Sequence, residues 1–308
     1  TGNIQIDSEV NLPEDSSKLF YGFKGNLIGA DKFNISKVID MSLMFADAKL
    51  VNPDVSKWNV SDVTNMNAMF SGATSANPDV SKWDTAGVEN MDSMFKEATS
   101  ANPDVSKWNV SKVTNMGSMF EAAPSANPDV SNWDTSNVTN MGRMFMGSVF
   151  LGATSANPDV SKWETANVTD MSYMFYRATS ANPKVANWNV SKVTNMKSMF
   201  SGATSANPDV AKWTVSSVTD MSSMFNGATS ANPNVSNWDT ANVTKTDVMF
   251  GGAKSASPDV SKWNMIKVTD LRHMFAGAIL ANPDVSNWDT SNVIDMSYMF
   301  EGSGIRDA

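Results

Sequence analysis

Apolar positions return along this chain with a fixed beat. The stretch ATSANPDVSKW at residues 73–83 recurs almost letter for letter, and tryptophan marks its register at positions 58, 83, 108, 133, 163, 188, 213, 238, 263 and 288. Every interval is 25 residues except that between Trp133 and Trp163, which is 30. Phe33 stands 25 residues before Trp58 and opens the series, which makes eleven units, the first incomplete at its N-terminal side. The extra five residues fall near 146–152. Self-similarity at this period signals stacked units that cannot bury an apolar face alone.

After each aromatic comes a second pattern, VTNMNAMFSGA at residues 63–73 being typical. Val63, Met66, Met69, Phe70 and Ala73 lie at offsets 0, 3, 6, 7 and 10, which predicts one face of a short helix. Thr64 suits its N-cap and Gly72 its end. In two units Thr246 and Leu271 replace the first methionine. The segment SANPDVSKW is too short for a helix and carries a central proline, so Asn77-Pro78 reads as a turn feeding a short strand over residues 79–83. Parallel strands stack at about 4.8 Å whereas packed helices need about 8–10 Å. Both fit one stack only if it bends, with strands on the concave side and helices on the convex side. The expected fold is therefore an α/β repeat solenoid, a curved right-handed leucine-rich-repeat-like stack. Residues 1–30 break the period and are expected to cap it, with Leu19, Phe20 and Phe23 covering the first coil. The solenoid spans 31–302, and 303–308 form a tail with no capping unit.

LPEDSSKLF near the start, followed by repeated W-[DN]-[TV]-x-x-V-T-x-M-x-x-M-F, resembles the BspA-like repeats of bacterial surface proteins over roughly residues 12 to 302. These are atypical leucine-rich repeats of Gram-positive and mycoplasma surface proteins. Their usual Phe-Asn-Gln-Asp is replaced here by Ala-Asn-Pro-Asp. The resemblance implies a non-enzymatic surface or secreted protein that mediates adhesion or protein–protein contact, including contact with host or extracellular-matrix protein. An extracellular or cell-surface location is likewise implied, although no signal peptide or anchor lies in this segment.

Stacking turns each repeat position into a column. The tryptophan column reads as a packed ladder rather than a platform for sugars, because Phe33 serves the same register. A carbohydrate-binding module using that ladder, or a passive spacer, are the alternative functions. Twenty of the 22 methionines belong to the Met-Met-Phe columns, where thioethers fill core space. The asparagine column, Asn52 to Asn282 with Ser257 as exception, reads as a buried ladder bonding the backbone of neighbouring coils.

The aspartate column holds Asp54, Asp79, Asp104, Asp129, Asp159, Asp209, Asp259 and Asp284, and it is the candidate partner-binding surface. Adjacent carboxylates about 5 Å apart repel by roughly 1 kcal/mol in water. Three things could offset this: local backbone N–H groups, the lysine column at 57, 82, 107, 162, 212 and 262, or a bound calcium ion or basic partner. Lys184 and Asn234 interrupt the column, which argues against an obligatory metal in every coil. The insertion contributes a second candidate contact, the apolar triplet Val149, Phe150 and Leu151.

Composition narrows the rest. Net charge is -9, which disfavours nucleic acid as a partner. Cysteine is absent, removing disulfides and thiol chemistry. No run of 18 apolar residues suggests membrane insertion. His273 is the single histidine, and no nucleophile, base and orienting group converge around it. No catalytic residue, metal or cofactor is expected.

Overall fold

The computed structural model describes residues 2–148 and 156–305. Contacts divide the chain into two units, Thr1–Pro158 and Asp159–Ala308. Within each, successive 25-residue coils lie side by side in register.

The first difference from expectation is in residues 63–73, which form consecutive turns and not a helix. The N–H groups of Met66, Ala68, Phe70 and Gly72 donate to the carbonyls of Asn90, Asp92, Met94 and Lys96 in the following coil, at 3.0, 2.8, 2.9 and 2.7 Å. The intervening N–H groups of Met69, Ser71 and Ala73 donate to carbonyls three residues back, at 3.2, 3.1 and 3.1 Å. A helix would send every one of these bonds four residues back within its own segment. Here alternate donors tie coil to coil while the others close local turns. Ala68 (φ 51°) and Gly72 (φ 68°) sit at the third position of those turns, where a type II turn requires a positive φ. Residues three apart share a face in both arrangements, so the apolar spacing alone could not separate them. The only helical element among the described residues is a single 3-10 turn, Ala30–Lys32.

The second difference is the expected strand. Residues 76–80 do alternate buried and exposed, the period of an extended chain, but they form no backbone ladder. Pro78 has no N–H to give. Side chains supply the missing bonds: Oδ1 of Asn52 accepts the N–H of Asn77 at 2.9 Å, and Nε1 of Trp83 donates to the Val55 carbonyl at 3.1 Å. The parallel bridges run instead through the residue before the first methionine, Asp40 to Asn65 to Asn90 to Asn115 to Asn140. Ladder and turn have thus exchanged places relative to the sequence reading.

These two findings remove the reason for bending. Neighbouring phenylalanine rings stack at 5.5 to 5.9 Å, as in Phe45 on Phe70 and Phe120 on Phe145, a spacing into which no pair of helices fits. Without helices on one side, no mismatch between strand and helix spacing remains inside a unit.

The interior consists of the columns that the sequence singled out. Val63, Met66, Met69, Phe70 and Ala73 are buried to within 1 % of full, and the tryptophans of interior coils retain only 3–4 % exposure. The N-terminal segment joins this packing. Strands β1 (Ile4–Gln5) and β2 (Val10–Asn11) pair in parallel with β3 (Leu27–Ile28) and β4 (Phe33–Asn34). Phe20 stacks on Phe45 at 5.5 Å, and the N–H groups of Lys18, Phe20 and Gly22 enter the same inter-coil ladder through Ser42, Met44 and Ala46.

Candidate functional site

Each coil turns at corners built on a short acceptor side chain. At one corner, Oδ1 of Asp79 accepts the N–H of Ser81 at 3.1 Å and its hydroxyl at 2.6 Å. The arrangement repeats at Asp54, Asp104, Asp129, Asp259 and Asp284. Asp159 caps the N–H of Ser161 at 3.0 Å, and Asp209 that of Ala211 at 3.2 Å. All eight aspartates are exposed. Local capping is therefore what the structure shows at this column.

The donors act on ionisation as well as shape. The hydroxyl and then the N–H of the following serine hold Asp54, Asp79, Asp104, Asp159, Asp259 and Asp284 below the ordinary carboxylate value. The adjacent lysines contribute less: Lys82 ranks below both Ser81 donors in its effect on Asp79. Lys57 approaches Asp31, at 3.6 Å. The expected offset by the lysine column is a minor influence.

Asn234 shows that the cap needs an acceptor and no charge, since its Oδ1 takes the N–H and hydroxyl of Ser236 at 3.2 and 2.8 Å. The hydrogen bonds of this corner therefore form with or without a charge. Among the described residues the bonds to Asp54, Asp79 and Asp104 all fall on Oδ1, and all three residues are exposed.

Two further corner columns escaped the sequence reading. Oδ1 of Asn59, Asp84 and Asn109 caps the N–H two residues on, and so does Oδ1 of Asn65, Asn90 and Asn115. The signal for the first of these columns is an Asx directly after the tryptophan, as at Asn59, Asp84 and Asn109, interrupted by Glu164 and Thr214.

The other columns are settled by burial. Except in the last coil, where Trp288 is part-buried and Met296 exposed, the column indoles lie inside with the column methionines, so a ladder of sugar-stacking faces is not available on the surface. The asparagine column is exposed and not buried as expected, because its side chains reach along the surface to the next coil. Its cross-coil bonding is as expected, extending to the N–H of Ser257, which Asn232 caps at 3.0 Å. His273 stacks flat on Tyr298, with ring centres 4.9 Å apart. Val149, Phe150 and Leu151 lie outside the described residues. Among the described residues no group of three or more histidines, aspartates or glutamates is placed to hold a metal, and no helix is long and apolar enough to cross a membrane.

The profile of a family described as a Mycoplasma protein of unknown function, DUF285, matches residues 14–127, 86–149, 146–261 and 254–305. The chain belongs to the DUF285 family. Successive matches overlap, as they must when a profile slides along equivalent coils, and the first begins at residue 14, beside the ladder's first bridge at Asp15. No curated protein and no solved structure matches the chain.

Proposed function

We propose that this DUF285 chain is a non-enzymatic scaffold, secreted or held at the cell surface, whose exposed acidic column binds a basic segment of another protein. The resemblance to BspA-like repeats supports an adhesive role. The observation that carries the reading is that Asp54, Asp79 and Asp104 are exposed and commit only Oδ1 to the corner. Asn234 replaces an aspartate at the same corner with its hydrogen bonds intact, so the cap can be kept while the charge is removed. Exposed charges in register favour an extended or multivalent partner, because many weak contacts add along a repeat surface.

The test is a binding screen of the folded chain against matrix and cell-surface proteins, at low and high salt. A quadruple variant, Asp54→Asn, Asp79→Asn, Asp104→Asn and Asp129→Asn, keeps the caps and removes the charge. Loss of about tenfold in affinity is expected, equivalent to roughly 1.4 kcal/mol. A panel with no saturable ligand, or a variant that binds as well as the parent, overturns the proposal.

A further inference from the structure

One coil lacks the corner cap that defines the acidic column. At residues 184–187 the usual Asp-Val-Ser-Lys becomes Lys-Val-Ala-Asn. Lys184 cannot accept a hydrogen bond. In the other coils of the column the N–H two residues on is taken by an Asp or Asn oxygen at 3.0–3.2 Å. The N–H of Ala186 has no acceptor among the described residues, and alanine removes the hydroxyl as well. Lys184 is exposed and makes no ion pair within 4.0 Å among the described residues, its charge acting on Asp159 of the preceding coil. The same place opens as a groove of about 410 Å³, lined by Ser161, Asn182, Lys184, Ala186, Asn187 and Asp209 among others.

We propose that this groove binds a carboxylate side chain of an acidic peptide, seated where neighbouring coils place their own aspartate. One oxygen accepts the Ala186 N–H and the group's charge is met by the Lys184 ammonium. The geometry for the first contact is built into the fold, since the same backbone turn holds a carboxylate oxygen in the coils on either side, at Asp159 and Asp209. The ammonium adds a counter-charge at the corner position itself, beyond the lysines at 162 and 212 that the neighbouring coils carry three residues on. Asp159 and Asp209 flank the position with negative charge, which discriminates against a doubly charged phosphate and favours a singly charged group. The wall of the groove adds Asn187, whose side chain can donate to a peptide backbone. This site is separate from the acidic column's proposed basic partner and stands or falls without it.

The experiment titrates the isotope-labelled full chain with a short capped peptide carrying one central glutamate, following backbone amides by NMR. A matched peptide with glutamine at that position is the control. Saturable movement of the Ala186 amide by the glutamate peptide alone is expected. Lys184→Asp fills the corner from within and should abolish the response, while leaving the remaining spectrum in place. Lys184→Ala retains the open N–H and should weaken binding several-fold. A Lys184→Asp protein whose Ala186 amide still responds overturns the proposal, as does an equal response to the glutamine peptide or none to either.

Discussion

The indole of Trp108 reaches across to the preceding coil and donates a hydrogen bond to the Val80 carbonyl, 28 residues earlier, at 3.1 Å. The same pairing recurs from Trp58 on Ala30 to Trp288 on Val260. It explains why the register residue is tryptophan: the proline-containing segment offers carbonyls that no backbone ladder reaches, and an indole brings apolar bulk and one donor together.

Trp108→Phe therefore tests more than packing. Phenylalanine fills most of the space but leaves the Val80 carbonyl with one of its two donors, the Trp83 N–H at 3.1 Å. Losing one hydrogen bond costs about 0.5–1.5 kcal/mol, and the lost ring area adds roughly another 1 kcal/mol. Urea unfolding should show a loss of about 1.5–2.5 kcal/mol. A change below about 0.5 kcal/mol would show that water replaces the donor.

Backbone strain supplies a stabilising substitution. Val248 has a φ of 58°, in the left-handed region that a β-branched residue disfavours. Other coils place serine, alanine or tyrosine at that turn position under the same constraint. Val248 is half-buried, so little apolar burial is lost by changing it. Val248→Asn should raise stability by about 1 kcal/mol, as asparagine tolerates that conformation. The reverse change, Gly252→Ala at φ 64°, should lower stability by a similar amount, although its added Cβ meets its nearest neighbour at an ordinary 3.7 Å. Thermal melts of the two variants should move in opposite directions.

What the sequence revealed and what it hid follow from one physical fact. Period and burial are properties of columns, and columns were readable from the repeated letters at Trp83, Met66, Met69 and Phe70. Backbone path is a property of φ, and nothing in the letters at Ala68, Ser93 or Tyr173 announces a left-handed residue. A three-residue beat suits a helix and a run of β-turns alike, and the choice between them rests on the coil spacing, which is a tertiary quantity. The aspartate column was legible as an exposed, locally capped surface. The Asx corners after tryptophan were not, since the place of Asn59 and Asp84 alternates between Asn and Asp and holds Glu164 and Thr214 in two coils.

Acid should probe the corner caps directly. Ser81 holds the Asp79 carboxyl below its ordinary value of 3.8, through its hydroxyl first and its N–H second. A carboxylate depressed in the folded state adds stability that is complete above the unfolded value and is lost as pH falls through the folded one. The corner columns together should therefore erode stability on the acid side of about pH 4, with little change between pH 5 and 8. Ser81→Ala removes the stronger donor and keeps the weaker. The Asp79 carboxyl, followed by carbon-13 NMR, should then titrate closer to its ordinary value, and an unmoved titration would show that the hydroxyl points elsewhere.

Thr246 is an interior position where the column and its chemistry disagree. It occupies the place of the first methionine, is fully buried, and its Oγ1 has no hydrogen-bond partner. Its column neighbours are Met221 and Leu271, so the space around it is shaped for longer apolar chains. Thr246→Val keeps the branched shape and deletes the hydroxyl, which isolates the desolvation penalty at about 1–2 kcal/mol. Thr246→Met should gain that amount and more, each added buried methylene contributing about 0.8 kcal/mol. For a unit of about 150 residues, 1 kcal/mol moves the midpoint by roughly 2–4 °C, so calorimetry separates the variants. Methionine melting below valine would mean that this coil has closed around the smaller side chain, and that overpacking outweighs the burial gained.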